Sequence, residues 1–156
     1  MAIMLSYRKA TIEDLQFLLK LRKLTMVEHL KNSEIFYSEK QHLERVKEFF
    51  NDSQIILLNN QSIGLLKLAV FNDRLHIRQF QIMPKVQRKG IGSQVLKDVI
   101  KRAIQLNISI SLNVLLSNPA KELYIRAGFC VVSENKFEYQ MRYDIRAIAL
   151  KYLQHF

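Results

Sequence analysis

Residues 82–92 read Ile82-Met83-Pro84-Lys85-Val86-Gln87-Arg88-Lys89-Gly90-Ile91-Gly92, and what stands on either side of this stretch decides the fold. Leu75 to Met83, before it, has the extended apolar character of a strand. From Gly90 to Leu106, Ile91, Val95, Leu96, Val99, Ile100, Ala103 and Ile104 recur at helical spacing opposite Lys97, Asp98, Lys101 and Arg102, which predicts an amphipathic helix. Two glycines at the junction let the chain turn sharply and let an anion approach the backbone amides. The helix start adds the partial positive charge of N–H groups without acceptors, and Lys85, Arg88 and Lys89 strengthen that field. The junction therefore reads as a pyrophosphate cradle, although two glycines alone fit a purely structural turn as well. It is not a dinucleotide fingerprint, which requires a small residue where Val95 stands, nor a nucleotide P-loop, since Gly-Lys-Ser/Thr is absent.

Working outward, Tyr7 to Lys9 is a short strand, and Thr11 with Asp14 forms a capping box for a helix that carries Leu15, Leu18 and Leu19 and runs to Leu30. A second helix from Ser38 to Phe50 places Leu43, Val46, Phe49 and Phe50 on one side. Strands Ile55 to Leu58 and Ile63 to Phe71 follow, with turns at Asn59-Asn60 and Asn72-Asp73. Beyond the central helix come strand Ser109 to Val114, helix Pro119 to Ala127, strands Phe129 to Val132 and Phe137 to Tyr143, and a terminal helix from Ile145 to Phe156. The order β-α-α-β-β-β-α-β-α-β-β predicts an α+β fold, helices packed on a mixed sheet. A single domain over 1–156 is expected, with its core at about 5–143 and a helical extension at 145–156.

Composition narrows the function. Of 156 residues, 49% are hydrophobic and 24% charged, the balance of a folded globular domain, and no apolar run approaches the roughly 20 residues of a membrane span. Met1 to Leu5 is too short for a secretory core and meets Arg8 and Lys9, so a cytoplasmic protein is expected. Cys130 is the only cysteine; it excludes an internal disulfide and reads as packing in a buried strand. His29, His42, His76 and His155 lack metal-site spacing, and no metal is predicted. The net charge of +10 points to polyanionic ligands, coenzyme A or nucleic acid, or to a merely solvated basic surface. Runs of Lys/Arg interleaved with surface aromatics are missing, which argues against nucleic acid.

Gln87, Gly90 and Gly92 match the Gln/Arg-x-x-Gly-x-Gly/Ala signature of the GNAT superfamily of N-acetyltransferases, and Asn118 to Phe129 is similar to a second family pattern, Asn-x-x-Ala-x-x-x-Tyr-x-x-x-Gly-Phe, with one residue fewer before Ala120. The chain resembles that superfamily over most of its length. The resemblance implies a mostly antiparallel sheet splayed between its fourth and fifth strands with helices on both faces. It implies acetyl-CoA as co-substrate and no metal, with an acyl group passing directly to a primary amine of a small molecule or protein. Backbone amides of Gln87, Arg88, Lys89, Gly90, Ile91, Gly92 and Ser93 would bind the pyrophosphate, while Ile82 and Met83 would pair with the pantetheine arm. Asn118 would contact that arm, though it equally fits a cap for the helix begun by Pro119. Tyr124 would give a proton to the departing thiolate. The position of the family's glutamate base holds His76, with Glu28, His29, Glu34 and water as alternatives. A homodimer is compatible with the family. A non-catalytic acyl-CoA sensor and a basic RNA- or ribosome-binding module are the rival readings.

Overall fold

The computed structural model describes residues 3–32 and 34–146. From residue 147 onward the expected terminal helix lies outside the described residues, as do the side chains of Glu28 and His29. The chain runs β1 (Leu5–Lys9), α1 (Leu15–Asn32), α2 (Glu39–Lys47), β2 (Ser53–Leu58), β3 (Gln61–Val70), β4 (Arg74–Ile82), α3 (Ile91–Leu106), β5 (Ser109–Leu115), α4 (Ala120–Ala127), β6 (Cys130–Glu134) and β7 (Glu138–Tyr143). This is the order read from the sequence.

Local chemistry accounts for most boundaries. The Thr11–Asp14 capping box forms around a short 3-10 turn that leads into α1, and Asp14 also receives both terminal guanidinium nitrogens of Arg8 at 2.8 Å. Ser38 and Gln41 cap α2 reciprocally. Asn59 and Asn60 take φ values of 51° and 64°, the left-handed pair that a tight hairpin needs. The helix expected to reach Phe50 ends at Lys47 instead. Phe49 turns left-handed at φ 52° and is exposed rather than packed, with the Arg78 guanidinium 3.5 Å from its ring centroid. The end of α2 is held by Lys67, buried on β3, whose Nζ donates to the carbonyls of Val46 at 3.2 Å and Glu48 at 2.7 Å.

Among the described residues, seven strands form one sheet in the order β1-β2-β3-β4-β5-β7-β6. Every neighbouring pair is antiparallel except β4 and β5. Those two pair in parallel only from Arg74 to Ile77 against Ser109 to Leu112, after which they part, each still paired on its other side, and a wedge opens between them. The cause lies on the other edge of β4. Leu68 stands opposite Ile77 but Lys67 opposite Gln79, so Arg78 is a bulge residue that bends the strand where its pairing with β5 stops. The bulge also resets which side chains face which layer. Leu75 and Ile77 before it, and Phe80 and Ile82 after it, pack with the core around α3 and α4. By alternation His76, Gln79 and Gln81 face α1 and α2, where Leu18, Leu21, Val46, Ile55 and Leu65 form a second core.

One expectation is overturned at the sheet edge. Cys130 was expected in a buried strand, but all five residues of β6 are exposed. The strand is last in the sheet and has β7 as its one neighbour, so the apolar anchor shifts to the residue before it. Gly128, at φ 109°, ends α4 in the left-handed conformation and turns Phe129 into the core at 2% exposure.

Candidate active site

The wedge contains a cavity of about 390 Å³, with Gln87, Arg88, Gly90 and Ser93 on one side and Asn118 and Tyr124 on the other. One end of it is built from backbone. Arg88 at φ 64° and Gly90 at φ 80° are both left-handed, an arrangement that turns successive N–H groups to one side. The backbone N–H groups of residues 88–93 find no acceptor among the described residues, whereas those of Gln87 and Gln94 bond to Pro84 and Gly90. The two glycines of the motif serve different ends. A Cβ at Gly90 would meet nothing closer than Ile3 Cδ1 at 3.9 Å, so glycine there answers to its dihedral angle. A Cβ at Gly92 would lie 3.0 Å from Leu123 Cδ2, so glycine there lets α4 approach α3.

Not every residue of the expected set reaches the wedge. Ile91 is buried in the core at 2% exposure and can offer only its N–H. Met83 is turned away: its side chain belongs to the α1/α2 core, its N–H bonds to Ile63 at 2.8 Å and its carbonyl accepts from Val86 at 3.0 Å. Lys89 is exposed outside the cavity lining. Since the N–H of Met83 points to β3, strand alternation aims the main-chain groups of Phe80 and Ile82 at the open side. There the side-chain amide of Gln87 donates to the Ile82 carbonyl at 2.8 Å, tying the glycine loop to the strand end.

Tyr124 lies at the junction of two spaces. It is 6% exposed, with ring centroids of Phe80 at 6.5 Å and Phe129 at 5.7 Å. Its hydroxyl makes no hydrogen bond to the described residues, and burial raises its pKa far above the ordinary phenol value, so it stays protonated. Asn118 does cap α4, its Oδ1 accepting from Ala120 N–H at 2.9 Å; the rest of its side chain borders both spaces.

The second space, a cavity of about 400 Å³, shares Met26, Phe80, Gln81, Asn118 and Tyr124 with the first and extends to His76, Arg22 and Tyr37. His76 Nδ1 shares a 2.7 Å hydrogen bond with Ser111 Oγ. Burial, reinforced by Arg74 and Arg78, lowers its pKa and keeps the ring neutral at pH 7. Glu34 is exposed and lines neither cavity. Phe80, Gln81, Arg22 and Tyr37 were not singled out from the sequence. Arg22 did carry a signal, standing four residues after Leu18 on the buried face of α1.

A mixed sheet opened between two parallel strands, with a turn of backbone amides that lack acceptors among the described residues at one end of the gap and a buried tyrosine across it, defines a GNAT-type fold. The family model of the acetyltransferase (GNAT) domain matches residues 24–143, and the chain belongs to that family. Solved structures share the fold. The PaiA N-acetyltransferase of Thermoplasma acidophilum, in complex with coenzyme A, is 19% identical over 91% of this chain and 99% of its own, with a TM-score of 0.72. Ard1 of Thermoplasma volcanium is 16% identical over 88% of this chain and 95% of its own, with a TM-score of 0.67. Naa50 of Arabidopsis thaliana, in complex with the bisubstrate analogue CoA-Ac-MVNAL, is 17% identical over 88% and 97%, with a TM-score of 0.63. No curated protein matches the chain. Among the described residues no group of His, Cys, Asp and Glu could hold a metal ion, and no helix is long and apolar enough to cross a membrane.

Proposed function

We propose that the protein is an acetyl-CoA-dependent N-acetyltransferase that acetylates a primary amine by direct attack. The observation that carries this reading is the run of amides at residues 88–93 without an acceptor among the described residues, which opens into a cavity meeting a second one at Tyr124. Acetyl-CoA supplies an activated acyl group when bound. The amides of residues 88–93 hold the pyrophosphate, helped by the positive end of α3. The main-chain groups of Phe80 and the N–H of Ile82 align the arm, and those N–H groups donate to the oxygen that gains charge. Asn118 steadies the arm from α4. In the second cavity His76 is neutral; with Nδ1–H donated to Ser111 Oγ across their 2.7 Å contact, its Nε2 is the ring position that accepts the amine proton. Tyr124 hydrogen-bonds to the departing thiolate and gives it a proton, in surroundings apolar enough to disfavour either anion. The exposed thiol of Cys130 lines neither cavity, in keeping with transfer without an acyl-enzyme.

The test is thiol release from acetyl-CoA, with and without a panel of amines. Release that depends on the added amine supports transfer. Coenzyme A binding without release for any amine would indicate a sensor instead.

A further inference from the structure

The acceptor cavity contains an arginine that the fold buries and that no carboxylate among the described residues neutralises. Arg22, on α1, is 4% exposed yet lines the cavity. Its Nε donates to His42 Nδ1 on α2 at 3.1 Å and its guanidinium lies 5.5 Å from the Tyr37 ring centroid. No carboxylate forms an ion pair with it among the described residues. The two other arginines lining the cavity are matched: Arg45 to Glu48 at 3.1 Å and to the Tyr37 hydroxyl at 3.0 Å, and Arg78 to Asp52 at 3.0 Å. The carboxylate whose field reaches Arg22 is Glu48, already taken by Arg45. Burial pushes the pKa of Arg22 down to about 10, which leaves it cationic at neutral pH. Glu138, the carboxylate among the cavity's described lining residues, stands on β7 and is not among the groups that act on Arg22.

A cation buried to 4% exposure without a carboxylate among the described residues lowers stability, and packing does not explain it, because an apolar residue of similar length would fill α1's buried face at less cost. Its retention makes sense if the missing anion arrives with the substrate. With Nε bound to His42, the two terminal nitrogens are left, and they form the end-on fork that matches a carboxylate's two oxygens. One uncompensated positive charge suits one negative charge. We infer that the acceptor is an amine that also carries a carboxylate, such as an amino acid, and that Arg22 binds that carboxylate while the amine faces Tyr124. This rests on the acetyltransferase reading of the same site and adds the acceptor's chemical class.

The experiment measures thiol release from acetyl-CoA with the common amino acids, their carboxamides, and phosphoethanolamine, using wild type, Arg22→Met and Arg22→Lys. At least one amino acid should be acetylated with kcat/KM about 100-fold above its carboxamide, because removing the charge leaves a buried cation unpaired. Arg22→Met should erase that preference, mainly through KM, while coenzyme A affinity in calorimetry stays within threefold and Tm within a few degrees. Should Arg22→Met fail to fold, Arg22→Lys keeps the charge without the fork and should lose about tenfold for the amino acid alone. Equal use of amino acids and carboxamides, preference for phosphoethanolamine, or a loss on Arg22 substitution that is the same for both partners of a pair would overturn the inference while leaving acetyl transfer intact. Absence of release with every amine, when coenzyme A still binds, would overturn both.

Discussion

Replacement of Gly90 by valine isolates what the cradle contributes. The residue sits at φ 80°, and an added Cβ would meet nothing nearer than 3.9 Å, so the penalty is one of backbone conformation and not of a clash within the fold. A β-branched residue held left-handed costs about 1–2 kcal/mol. If the loop keeps its shape the cost is seen as lost stability; if it relaxes, the amides of residues 88–93 lose their common aim and the cost is seen in ligand affinity. In the second case it corresponds to coenzyme A binding weakened about 5- to 30-fold. Gly90→Asn should lose much less, because asparagine enters this region more readily. Calorimetric titration with coenzyme A alongside thermal melts would place each variant on both axes, with affinity expected in the order Gly, Asn, Ala, Val. A folded Gly90→Val protein with unchanged affinity and unchanged Tm would refute the role assigned to this turn.

Tyr124→Phe should lower turnover more than tenfold while leaving coenzyme A affinity unchanged, since the ring contacts to Phe80 and Phe129 are kept and only the proton donor is lost; steady-state kinetics with calorimetry decides. If His76 accepts the amine's proton, kcat/KM should fall as pH drops through a limb below the ordinary histidine value of 6.5, because burial lowers its pKa and only the neutral ring is a base. His76→Gln should then lose on the order of 100-fold and move the limb, whereas matching pH profiles would exclude it. Phe129→Ala, at a site 2% exposed between Tyr124 and Tyr143, should cost about 3–5 kcal/mol in urea unfolding.

Local periodicity was sufficient for the elements around the site. The apolar stripe of α3 predicted a helix whose Ile91, Val95, Leu96, Val99 and Ala103 are indeed buried, because helical spacing places such residues on one face whatever they pack against. Turns whose chemistry is local, at Asn59-Asn60 and Gly128, were legible for the same reason. Periodicity overreached at Ile104, which is 54% exposed, and at β6, because it identifies an apolar face without saying whether a neighbour covers it.

Within the site, the sequence by itself determined the amide cradle, since a glycine turn at a helix start needs no distant partner to present its N–H groups. The tertiary structure decided the rest. The wedge depends on where β4 stops pairing, which the bulge at Arg78 sets through its register with β3. Whether Met83 faces the cleft depends on that same pairing, which consumes its N–H. The charge of Arg22 is visible in the sequence, but its lack of a carboxylate among the described residues is not. That follows from α2 bringing His42 to its Nε while Glu48 is taken by Arg45, a pairing between side chains far apart in the chain that only the packing of two helices settles.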